Sequence, residues 1–235
     1  VLAALGWGAV AASSLVIGAV LGMIRKWHAG VVGGVLAFGA GALISSVAFE
    51  LAQEGLAIGG PVPVAIGLAV GALAFFGANA AVDRIGGRAG GGSGGLPLAL
   101  GSLLDGIPEQ AVLGIGLAAG EGVSVALLVA IFISNLPEGI GSASDMRAAG
   151  KSVRSVTSLW IVVSVACALA TLGGYALASV AGPEVKGAID GFAAGALLVM
   201  LVDSMIPEAK EKAGNRAGLL TVIGFAVAAA LSNLV

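Results

Sequence analysis

The sequence predicts an all-α integral membrane protein with eight transmembrane helices in a 3+2+3 arrangement built on inverted repeats. Three observations carry that prediction. The composition is strongly apolar, with 58% hydrophobic and 10% charged residues and a mean hydropathy of +1.08, outside the range of water-soluble domains. The apolar residues fall into windows of bilayer-spanning length, about 20 residues for a helix. Two internal repeats recur in segments that would run in opposite directions across a bilayer.

The windows lie near residues 3–24, 31–52, 62–82, 97–119, 123–145, 156–181, 187–207 and 217–235, within one transmembrane domain spanning 1–235. They lack the alternating polar and apolar pattern of barrel strands and are too long for single strands. The first window is too long for a signal-peptide core and has no basic residues before it, so it reads as a retained helix. Between the third and fourth windows, Asp83 to Leu96 reads DRIGGRAGGGSGGL, a glycine-serine loop without periodicity. The 40 glycines follow no G-X-Y period, and their spread through apolar windows suits close helix packing in lipid.

Basic residues set the expected orientation. With the N-terminus outside, the cytoplasmic loops hold Arg25, Lys26, Arg84, Arg88, Arg147, Lys151, Arg154, Lys210, Lys212 and Arg216, leaving Lys186 on the other face. This asymmetry follows the positive-inside rule and places both termini outside a multi-pass protein of the cytoplasmic membrane. The lipid bilayer is the expected surrounding. The net charge of −2 carries little information about partners, because most of the chain would face lipid or other helices, and no nucleic-acid partner is expected. A single cysteine, Cys167, excludes an intramolecular disulfide framework and any CxxC motif.

The chemistry concentrates in segments four and five. LLDGIPEQ begins at Leu103 and FISNLPEG at Phe132, placing a Pro-Glu pair in the middle of each apolar stretch. A buried carboxylate is costly, so two in the same pattern point to a purpose. Helical rise puts Glu109, Asn135 and Glu138 well inside the hydrocarbon region, with Asp105 one turn from Glu109 on the same face. Pro108 and Pro137 each remove a backbone donor and free the carbonyls of Leu104 and Ile133. Carboxylates, Ser134, Asn135 and free carbonyls together make a cation site, with Asp105, Glu109, Ser134, Asn135 and Glu138 as the candidate ligands. A second repeat aligns GALISSVAFELAQE from Gly41 with GALLVMLVDSMIPE from Gly195, matching Glu54 with Glu208. His28, in RKWHAG, reads as part of an interfacial anchor. Glu50, Glu54, Asp190 and Glu208 fall near helix ends, where Glu54 and Glu208 could guide ions at an entrance or exit.

These residues resemble the Zrt/Irt-like (ZIP) family of divalent metal transporters. The resemblance rests on the eight-helix layout, the Pro-Glu motifs on segments four and five, and DSMIPEA from Asp203 to Ala209 on segment seven. The family's segment four carries His-Asn-x-Pro-Glu-Gly, where this chain has Asp105-Gly106-Ile107-Pro108-Glu109-Gln110; segment five matches as Ser134-Asn135-Leu136-Pro137-Glu138-Gly139. The resemblance implies that Asn135 and Glu138 bind metal, that Cys167 falls near a bridging-glutamate position on segment six, and that Asp203 and Ser204 stand at a His-Glu pair on the inner exit. With Glu208, these form the auxiliary pathway set.

The implied substrate is a divalent metal ion, zinc by family, with manganese or iron open because the ligands here are hard oxygens and imidazole is absent. No resident cofactor is expected, and a homodimer is an open assembly. The reading of the residues leaves an alternating-access carrier, favoured by the inverted repeats, and a divalent-cation channel using the same acids. An intramembrane enzyme fits least, since no window contains HExxH or any histidine.

Overall fold

A computed structural model describes residues 1–88, 96–120 and 122–232. Residues 89–95 of the Asp83–Leu96 loop, Glu121 and the last three residues of the 217–235 window therefore lie outside the described residues. The chain is 91% helix without strands among those residues. It runs as eight continuous rods: α1 (Leu2–Ile24), α2 (Ala29–Gly59), α3 (Pro61–Arg88), α4 (Leu96–Ala118), α5 (Val125–Ala148), α6 (Val153–Ser179), α7 (Pro183–Ala213) and α8 (Arg216–Ser232). Six of these, α1, α2, α3, α5, α6 and α7, are long and apolar enough to cross a membrane. The all-α membrane class is thus what the fold displays, because apolar rods of this length satisfy every backbone group internally.

Local chemistry explains most boundaries. Ser124 caps α5 by accepting from Leu127 N at 3.2 Å, and Ser152 caps α6 by accepting from Ser155 N at 3.1 Å. Pro183 occupies the first turn of α7, where its missing donor costs nothing. Gly60 and Gly214 end α2 and α7 with φ of 81° and 62°, a left-handed geometry that favours glycine. The rods α2 and α7 outrun the windows at 31–52 and 187–207 because nothing before these glycines stops the helix. Likewise α3 stays helical to Arg88, past the expected loop start at Asp83.

His28 is the cap of α2: its Nδ1 accepts from Gly30 N at 3.1 Å. Beside it the Arg25 guanidinium lies 5.4 Å from the Trp27 ring centre, a cation–π contact suited to an interfacial anchor.

The helices pair closely. α3 packs along α7, α8 along α2, α5 along α1 and α6 along α4, with α1 also against α6 and α2 against α5. Glycine makes these approaches possible. A Cβ on Gly41 of α2 would strike the Thr221 carbonyl of α8, and one on Gly195 of α7 would strike the Leu68 carbonyl of α3. Gly22 meets the Ile140 carbonyl of α5, and Gly174 of α6 meets the Ala111 carbonyl of α4. Small residues at such crossings let backbones touch and gain dispersion contact.

Two rods depart from α-helical winding. α2 carries a π-helical stretch at Val47–Gln53 and α7 another at Leu201–Met205. In the alignment of Gly41 with Gly195, Val47 falls on Leu201, so both wide turns begin at the same repeat position. A π-helical turn leaves backbone groups poorly paired and is often retained where a helix serves a site.

Candidate metal site

α4 and α5 stay helical through Pro108 and Pro137. The repeat matches Asp105 with Ser134 and Glu109 with Glu138, and the contacts obey that match. Ser134 Oγ lies 3.1 Å from each carboxylate oxygen of Glu109 and 3.0 Å from the Ile131 carbonyl, so its one proton serves these acceptors by turns. In the equivalent pairing, Asp105 meets Glu138 side chain to side chain. Each Pro-Glu glutamate is therefore faced by the residue four positions before the other glutamate.

Burial makes this arrangement consequential. Glu109 is 3% exposed, Ser134 2% and Asn135 1%, whereas Asp105 and Glu138 keep partial exposure. Among the described residues, Glu138 Oε2 and Asn135 Nδ2 are buried without a hydrogen-bond partner. Two carboxylates cannot meet without a proton between them, and a cation in the proton's place answers the same need. The unpartnered Glu138 oxygen is an acceptor suited to such an ion. Asn135 offers its amide oxygen, with Nδ2 left for another acceptor.

Four of the five candidate ligands thus meet in two pairs across α4 and α5, Glu109 with Ser134 and Asp105 with Glu138, while Asn135 is buried next to Ser134 in the chain. Among the described residues, however, no three His, Cys, Asp or Glu side chains are gathered closely enough to hold a metal ion together. A complete shell here would draw on Ser134, Asn135 and backbone oxygens as well as the acids.

The auxiliary residues divide. Cys167 is fully buried on α6 and faces α4, where a Cβ on Gly106 would come 2.7 Å from its sulfur; it lies within electrostatic reach of Glu109 and Glu138. Glu208, partly exposed, lies within electrostatic reach of Asp105 and Glu138 and also accepts from Lys212 Nζ at 2.5 Å. Asp203 is exposed and Ser204 half-buried in the π-helical stretch of α7, and neither hydrogen-bonds to the cluster.

Two features were missed by reasoning from sequence. Gln110, 0% exposed, accepts from Thr171 Oγ1 of α6 at 2.8 Å while its Nε2 has no partner among the described residues. Ser45 and Ser46, just before the wide turn of α2, bury hydroxyls without partners among the described residues. A polar residue beside each Pro-Glu or repeat motif was the available signal, but helix rotation decides which of them faces inward.

The chain matches no family model, and no curated protein is recognisably similar to it in sequence.

Proposed function

We propose that the chain carries a divalent metal cation across the cytoplasmic membrane through eight spans in a 3+2+3 arrangement, by alternating access, as its resemblance to the ZIP family implies. One observation carries the reading: the reciprocal contacts of Glu109 with Ser134 and Glu138 with Asp105 on paired proline-containing helices. Ion pathways are the default role of clustered carboxylates at membrane depth. The packing supports the arrangement. Exchanging α1 with α6, α2 with α7, α3 with α8 and α4 with α5 turns the α3–α7 pair into α8–α2, and the α1–α5 pair into α6–α4. Repeats of this kind suit a carrier that rocks one part against another around a central site. A channel using the same acids is the second reading.

Asp105, Glu109, Ser134, Asn135 and Glu138 are the proposed ligands. Zinc is the substrate by family resemblance, and the oxygen-rich set keeps manganese and iron beside it. The thiol of Cys167 stands next to Gly106, a soft donor near an otherwise hard site. Reconstitution into liposomes with a panel of divalent ions tests the proposal. Saturable uptake of at least one ion supports the carrier; uptake that stays linear in concentration supports the channel; none refutes both.

Two further outcomes are expected. Asp105→His should shift competition between zinc and manganese toward zinc by about tenfold, since imidazole favours zinc over harder ions. Equal preference before and after the change removes Asp105 from the ligands. In a Cys167→Ala background, a cysteine at Gly120 should label from outside and one at Gly91 from the cytoplasm; the reverse overturns the orientation.

A further inference from the structure

A cavity of about 210 Å³ opens where α2, α4, α5, α7 and α8 converge beside the α4–α5 turn. Its polar lining includes Glu50, Glu54, Ser124, Asp190 and Ser232. Glu54 and Asp190 also line an adjoining cavity of about 150 Å³ with Lys186. We propose that this paired cavity is a second cation site, taking a divalent cation with much of its water shell and separate from the Pro-Glu cluster.

Two side chains point to a ligand. Asp190 is 4% exposed, yet it faces the space with no hydrogen-bond or salt-bridge partner among the described residues; Glu54 and Lys186 are its charged neighbours. Glu50 has one oxygen held by two hydroxyls, Ser124 Oγ donating at 2.8 Å and Ser232 Oγ at 3.0 Å. Its other oxygen is buried without a partner among the described residues. A buried, unpaired carboxylate is costly unless a cation or water completes it.

The form of the ion follows from size and charge. Among the described residues the carboxylates of Glu50, Glu54 and Asp190 outnumber the one ammonium, of Lys186, an excess of negative charge that a divalent ion answers. Among the described residues no three acidic side chains stand close enough to ligate an ion directly, so water must bridge the gap. At about 30 Å³ per water, the larger cavity has room for an ion and its first shell, and hard divalent ions give up that shell reluctantly. Leu51, Val112, Leu113 and Leu127 line the cavity wall and are each at most 2% exposed. Val112 and Leu113 lie one turn from Glu109, so apolar side chains separate the two acidic sites.

The test is a Mn²⁺ titration of the full chain in detergent, reading bound Mn²⁺ by electron spin resonance and its retained water by proton relaxation. The background is Glu109→Gln with Glu138→Gln, which disables the Pro-Glu cluster. Binding with high relaxation enhancement is expected to persist there and to weaken by about tenfold or more on adding Glu50→Gln and Asp190→Asn. The amide oxygen introduced by Glu50→Gln can still accept from both serines, and Asp190→Asn alone removes no hydrogen bond, so that single change should also weaken binding severalfold. Unchanged Mn²⁺ affinity in either the single or the combined variant, or no binding in the background, overturns the site. Its fate is separable from the carrier reading, which fails instead if Glu109→Gln with Glu138→Gln leaves uptake intact.

Discussion

Replacing Glu138 with alanine is expected to lower divalent-cation affinity by about a hundredfold or more and to abolish uptake, while the protein remains monodisperse in detergent. The carboxylate meets Asp105 and presents a second oxygen that is buried without a partner among the described residues. Removing it leaves Asp105 and Glu109 of α4 without the acid that α5 presents to them, and the loss of one direct charged ligand is a loss of several kcal/mol in a desolvated site. The fold should survive because the carboxyl satisfies no backbone group. Glu109→Ala should have a similar effect on binding and additionally leave Ser134 Oγ with its bond to the Ile131 carbonyl in place of the shared bonds to Glu109. Isothermal titration checks affinity and melting checks the fold. If both single variants bind divalent ions as the unmodified chain does, the Pro-Glu cluster is not the site.

Leucine at Gly41 is expected to act on stability instead. The first added carbon would meet the Thr221 carbonyl of α8, and a backbone oxygen cannot turn aside as a flexible side chain can. The helices must separate, with a cost at or above the upper end of the roughly 1–3 kcal/mol usual for overpacking. Gly195→Leu should match it, because the Leu68 carbonyl of α3 stands in the equivalent place. Gly77→Ala provides the contrast: nothing lies within 4 Å of a Cβ there, and a helical Gly→Ala change stabilises by about 0.4–1 kcal/mol. Thermal melting in one detergent compares all three. Equal melting temperatures for Gly41→Leu and Gly77→Ala would show that the α2–α8 crossing is looser than its geometry.

The helical windows and the Pro-Glu pair were legible because they are local. Hydropathy over about 20 residues depends on composition alone, and a repeat spaced by a constant offset survives any arrangement of the helices. His28 illustrates the limit of type without place. As the one histidine it invites a metal role, but its position before Ala29 makes it a helix cap. Asp203 and Cys167 show the same limit from the other side. Both fall at auxiliary positions of the resemblance, yet Asp203 is exposed and Cys167 buried beside Gly106. The π-helical stretches of α2 and α7 have no residue signature that marks them; only the shared repeat register connects them.

From sequence alone, then, come the all-α membrane class, the order of the rods and the nomination of Asp105, Glu109, Ser134, Asn135 and Glu138 as candidate ligands, since spacing and polarity are properties of one chain segment. Tertiary structure decided which of these meet. That Glu109 faces Ser134 while Glu138 faces Asp105 depends on the rotation and depth at which α4 and α5 pack. Those are set by glycine contacts with other helices, such as Gly174 on Ala111 and Gly22 on Ile140. The cavity of Glu50 and Asp190 is further from view in the sequence, because its walls come from five helices and these two carboxylates from opposite repeats. Charge at a helix end reads as solvated until packing closes over it, and only the folded bundle shows that Asp190 is buried.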